Sequence, residues 1–80
     1  MDQARRERLR EIIGFLASAQ SEVYEIWLDE EAAFDGRYAP SKETQSGQIS
    51  SEAIDSLSEA VDDIESAITN LRDAIGDENP

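Results

Sequence analysis

Ile54, Leu57, Val61, Ile64, Ile68, Leu71 and Ile75 recur at spacings of 3, 4, 3, 4, 3 and 4. Such a strict heptad seam predicts one long amphipathic helix whose apolar stripe packs against another helix. Ala53, Ala60, Ala67 and Ala74 run beside the seam, seven residues apart. Small residues on a seam's flank allow close approach of a further helix. Ser50 or Ser51 reads as the N-cap, with Glu52 in the dipole-favoured first turn. Gly76 ends the pattern ahead of polar residues and Pro80. This helix is expected over about residues 50–76.

The first half of the chain is also expected to be helical, from about 2 to 34. Leu9, Ile12, Leu16, Ala19, Val23, Ile26, Glu30 and Ala33 alternate by 3 and 4, and predict the inward stripe. Ile13, Gln20, Trp27 and Phe34 form a parallel row, seven apart. Gly14 costs on the order of 1 kcal/mol in helix propensity without having to break so long a pattern. Between the helices, about 35–49, Gly36, Pro40 and Gly47 among polar residues predict a loop. It is long for a helix hairpin, so a short turn of its own is expected, with Tyr38 or Ile49 capping the end of the bundle.

Two helices with one apolar stripe each bury them together, which gives an all-α, antiparallel, coiled-coil-like hairpin as a single domain over 1–80. The charges agree with antiparallel pairing. Arg5, Arg6, Arg8 and Arg10 would lie near the second helix's C-terminus, beside Asp73, Asp77 and Glu78, while Asp29, Glu30 and Glu31 would lie near its N-terminus. The second row on the first helix and the alanine row on the second leave apolar surface uncovered. Two hairpins closing a four-helix bundle would cover it, so a homodimer is the expected form.

The segment SEVYEIWLDEEAAF, residues 21–34, does not keep its large apolar residues on one face. Val23 and Ile26 belong to the stripe, Trp27 and Phe34 to its flank, and Tyr24 and Leu28 lie further round. An exposed aromatic and an aliphatic side chain beside Asp29, Glu30 and Glu31 form a candidate protein-binding hot spot at Tyr24, Trp27, Leu28 and those three acids. The plainer alternative is that they fill a four-helix core, with Tyr24 keeping its hydroxyl in water.

Charge narrows the partners. Nineteen acids against seven bases give −12. The first ten residues are net +2, which leaves −14 on the remainder. Such a surface repels nucleic acid and anionic membranes and attracts basic proteins, besides keeping a small domain in solution. The N-terminal arginines argue weakly for phosphate contact and more strongly for pairing with the chain's own acids. Helix 2 carries nine acids between Glu52 and Glu78, one per roughly 4.5 Å of axis against about 3.4 Å per charge on a DNA strand. Asp55, Glu59, Asp62 and Asp63 are therefore the alternative site, a face imitating DNA.

Most chemistry is disfavoured. The chain has neither histidine nor cysteine, the usual nucleophiles and bases at neutral pH. Paired carboxylates need a cleft that a two-helix hairpin lacks. Residues 31–42 place Gly36 where a calcium loop has its glycine, but Ala33 and Lys42 stand at ligand positions. No catalytic residue, cofactor or metal is expected. The start MDQARRERLR lacks a signal-like apolar core and no run is long enough to span a membrane, so a cytoplasmic location is expected.

The order DEEAAFD at 29–35, then Pro40, Ser46-Gly47 and SEAIDSLSEAVDDIESAITNL at 51–71, resembles small acidic helical-hairpin proteins of phages, plasmids and integrative elements. Their usual form has an acidic helix end, an aromatic-Asp-x-x-Pro loop and a heptad helix; here the spacer GRYA sets Pro40 later. Within that group, the quorum-sensing antiactivators of symbiosis islands offer a fitting role. The resemblance implies a non-enzymatic inhibitor that sequesters a basic, DNA-binding transcriptional activator and keeps conjugative transfer off. The alternatives are an acidic DNA mimic or anti-defence protein blocking a DNA-binding enzyme, and a structural self-assembly module.

Overall fold

The structure, a computed structural model, describes residues 1–76, with Ala39 by its backbone alone. Three helices follow one another: α1 (Gln3–Asp35), α2 (Ala39–Lys42) and α3 (Gln45–Ile75). The fold is an all-α helical hairpin in which α1 and α3 pack antiparallel along their length. Among the described residues there is no strand, and no helix is long and apolar enough to cross a membrane.

Each boundary has a local cause. Asp2 caps α1, its carboxylate accepting from the Arg5 N–H at 2.8 Å. Gly76 closes α3 in the left-handed conformation, φ 83°, and donates its N–H to Arg72 O at 2.9 Å. This is a helix end that favours glycine, which has no Cβ to clash.

The start of α3 corrects the expectation. Thr44, not Ser50 or Ser51, is the N-cap; its hydroxyl accepts from the Gly47 N–H and donates to Ser41 O. The helix thus begins five residues earlier than the heptad pattern alone suggests. The expected turn within the connection is present as α2, with Pro40 in its first turn, where a missing N–H costs nothing. Lys42 Nζ stands 5.4 Å from the centre of the Phe34 ring, which ties α2 to the end of α1. Arg37 donates to Ser50 Oγ across the turn. Tyr38 and Ile49 do not cap the bundle; both are exposed. The turn is held instead by backbone and hydroxyl bonds, which need neither side chain.

The seam of α3 is as predicted, with Ile54, Leu57, Val61, Ile64, Ile68, Leu71 and Ile75 all turned inward. The seam of α1 is shifted. Leu9, Leu16, Val23 and Glu30 face α3 as expected, but Ile12, Ala19, Ile26 and Ala33 are exposed. The row Ile13, Gln20, Trp27 and Phe34 takes their place. Both rows satisfy the same spacing, and the one chosen turns the indole and a second aromatic ring toward α3, each half-buried. It also lets Gln20 Nε2 donate to Val61 O at 3.1 Å and to Glu65 Oε2 at 3.0 Å.

The core is thin. Ile13, Ile68 and Ile75 are its buried members, with Leu9, Leu16, Ala17, Ile64 and Leu71 packed around them. It lies at the end of the hairpin away from α2. The molecule measures 57 × 19 × 15 Å, and its radius of gyration is 17.6 Å, against about 12 Å for a compact domain of this length.

Arg5 pairs locally with Asp2 at 3.8 Å, in an exposed contact of small energetic weight. Arg6 is half-buried, with Nε lacking a hydrogen-bond partner. Asp77 and Glu78, placed by the sequence opposite these arginines, lie outside the described residues. Because α3 begins at Gln45, Asp29, Glu30 and Glu31 stand level with about its third turn, not its first, and the first turn contains no acid.

Candidate protein-binding surface

The two broad faces of the hairpin differ. At 100° per residue, Ala17, Tyr24, Leu28 and Glu31 fall on one flank of α1, while Ile12, Phe15, Ala19 and Ile26 fall on the other. The antiparallel arrangement sets Ser58, Asp62 and Glu65 of α3 beside the first flank, and Ala60 and Ala67 beside the second.

The first face holds the candidate site. Tyr24 and Trp27 stack, ring centres 5.5 Å apart and planes inclined by 24°. Tyr24, on the outer side of the stack, remains 47% exposed. Trp27 is half-buried in the seam, and its Nε1 is buried without a hydrogen-bond partner. A shallow groove of about 130 Å³ runs between the helices here, lined by Tyr24, Trp27, Ser58, Val61 and Asp62. It continues past Gln20 and Ser21. Leu28, exposed, extends it one turn along α1.

The six residues singled out from the sequence do not all meet. Tyr24, Trp27, Leu28 and Glu31 share this side of α1. Asp29 points to solvent on the outer side, and Glu30 lies on the opposite flank of the seam, as the 100° step requires. The acid at the groove itself comes from α3. Asp62, proposed as part of a separate mimic face, lines the groove beside Tyr24. Asp55, Glu59 and Asp63 are exposed on the same helix. Glu52, Asp55, Glu59 and Asp62, spaced 3, 4 and 3, make one solvent-facing line, and Asp63 lies beside it. Thus the apolar anchor and the acidic line are neighbours, not rival sites at different places.

Sequence reasoning missed Gln20, Ser58 and Val61 as parts of the groove. Gln20 had a signal, a polar residue in an otherwise large apolar row, which is the usual mark of a residue that fixes helix register. Ser58 had none, being one of many exposed serines on an acidic helix.

The groove is shallow and open along its length, unlike the clefts that bury most of a small molecule's surface. It suits a protruding side chain of a protein better than a cofactor. Among the described residues, no group of three or more acids is disposed to hold a metal ion. No family model, curated protein or solved structure matches the chain.

Proposed function

We propose that the chain is a non-enzymatic protein-binding inhibitor, an antiactivator that sequesters a basic, DNA-binding transcriptional activator. The observation that carries this reading is the Tyr24–Trp27 stack opening onto a groove whose wall includes Asp62. An apolar or aromatic side chain of the partner enters between Tyr24, Trp27 and Val61. Basic residues around it meet Asp62, Asp55 and Glu31. The net charge of −12 accelerates encounter with a positive surface, while burial at the aromatic pair sets the lifetime of the complex. A regulator held by the surface that it turns toward phosphates cannot contact DNA at the same time. The resemblance to mobile-element antiactivators supports the same class of partner.

The test is capture of partners from lysate of the source cells, with parallel washes at low and high salt, followed by titration of the captured protein. Tyr24→Ala with Leu28→Ala should weaken binding by about 2 kcal/mol or more, the scale of an interface hot spot. The circular dichroism should stay unchanged, since both side chains are largely outside the hairpin seam. Asp55→Asn with Asp62→Asn should slow association and flatten its salt dependence. A regulator whose binding ignores the Tyr24 and Leu28 changes would sink the reading.

The line Glu52, Asp55, Glu59 and Asp62 favours a second reading, a mimic of nucleic acid that blocks a DNA-binding enzyme. Under it, the captured partner is lost at high salt, and the Asp→Asn changes, not Tyr24→Ala, abolish binding. Capture of nothing in either wash would leave the self-assembly module.

A further inference from the structure

The opposite face of the hairpin carries Ile12, Phe15 and Ile26, all exposed, Phe15 at 73%. Next to them, across the seam, lie Ala60 and Ala67. The acids of α3 are largely turned away from this side, onto the line described above. We infer that this face binds a second copy of the chain, across a two-fold axis perpendicular to the helices at the level of Ala19.

Three observations point to a second copy rather than an unrelated protein. The first is symmetry. Ile12 and Ile26 stand seven residues either side of Ala19. An antiparallel α1–α1 contact centred there sets Ile12 against Ile26 of the second copy, twice. The bonds from Gln20 to Val61 and Glu65 fix the level of α1 at this point, near residues 63 and 64 of α3. The alanine row is symmetric about the same level, Ala60 with Ala67 and Ala53 with Ala74. Ile12 with Ile26 on α1 and the alanine pairs on α3 are therefore disposed about one axis, as an isologous interface requires. Small residues on α3 also permit the close helix approach that such a contact needs.

The second is charge complementarity. The stripe of α1 bearing Ile12 and Ile26 has Arg8 at one end and Glu30 at the other, eleven residues either side of Ala19. The proposed axis brings Arg8 to Glu30 of the second copy, again twice. The third is area. The chain exposes 5785 Å², about 1,000 Å² more than the roughly 4,800 Å² of a compact monomer of this mass. One partner's share of a standard interface is about 800 Å².

The face lies opposite the Tyr24–Trp27 groove, so the inference stands apart from the proposed function, and pairing leaves that groove open. It is tested by sedimentation equilibrium at tens of micromolar in moderate salt, with circular dichroism to confirm helix content. The native chain should have the mass of two copies. Arg8→Glu and Glu30→Arg should each weaken pairing on the order of tenfold, because two contacts change at once, and the double variant should restore it. Ile12→Glu should abolish pairing, and Ala19→Cys should cross-link to its own copy on mild oxidation. A native mass of one copy would overturn the inference. So would a dimer that tolerates Ile12→Glu, or one in which the double charge variant is no better than the singles and Ala19→Cys stays uncross-linked.

Discussion

Gly14 and Gly47, both inside helices, should respond to alanine with opposite signs. Gly14 lies on the solvent side of α1 with nothing within 4 Å of an added Cβ. Gly14→Ala should therefore raise stability by about 1 kcal/mol, the propensity difference alone. Gly47 is buried in the first turn of α3, under the end of α2. A Cβ there would meet the Lys42 carbonyl and lie 2.6 Å from Ser41 O. That is backbone and cannot swing aside, so Gly47→Ala should cost about 1–3 kcal/mol. Urea unfolding followed by circular dichroism measures both. The sequence shows the need for neither space nor contact at these positions. Gly47 reads as one more loop glycine, because the approach that demands it comes from α2, whose position is set by the Thr44 and Ser41 hydroxyl bonds.

At the scale of elements, α3 was legible and α1 was legible only in part. The seam of α3 offers one unbroken row of branched aliphatic residues, with alanines, acids and serines elsewhere, so only one face can turn inward. On α1 the rows through Ile12 and Ile13 compete; the first is short of side-chain volume at Ala19 and Ala33, and the second contains the polar Gln20. Composition cannot choose between them; the size of Trp27 and Phe34 and the two bonds from Gln20 do. The candidate site inherits this. Placing Trp27 in the seam makes it the inner wall of a groove, with Tyr24 as the outer one, and rotates Glu30 away from both. Gln20 is expected to hold the register at some cost in stability, as single polar seam residues do. Gln20→Leu should raise the melting temperature, because apolar surface replaces two partly exposed hydrogen bonds. It should also add minor conformers, visible as extra amide peaks by NMR, since neither row then carries a polar marker. A lower melting temperature with one set of peaks would refute that role.

For the molecule as a whole, the position of the core matters more than its size. Ile13, Ile68 and Ile75 with their neighbours lie at the open end of the hairpin, where α1 begins and α3 finishes. Toward α2 the seam holds Trp27, Glu30, Phe34, Ile54 and Leu57, all only half-buried. Amide exchange should follow this gradient, slowest around Ile13 and Ile68 and fastest from Phe34 through Ser50, because local opening is easiest where few apolar contacts must be broken. Uniform protection along both helices would show instead that the turn is an equal anchor. The gradient gives the connection between the helices an unexpected standing. It holds the helices by polar contacts, Arg37 to Ser50 and Lys42 over Phe34, and adds little apolar burial of its own. The two helices of the hairpin pack most closely at their tips, so a protease that severed the chain between Gly36 and Thr44 would leave the contacts of Ile13, Ile68 and Ile75 in place while removing the effective concentration the linker supplies. The severed halves would then pair in a concentration-dependent way, through contacts at the end furthest from the cut.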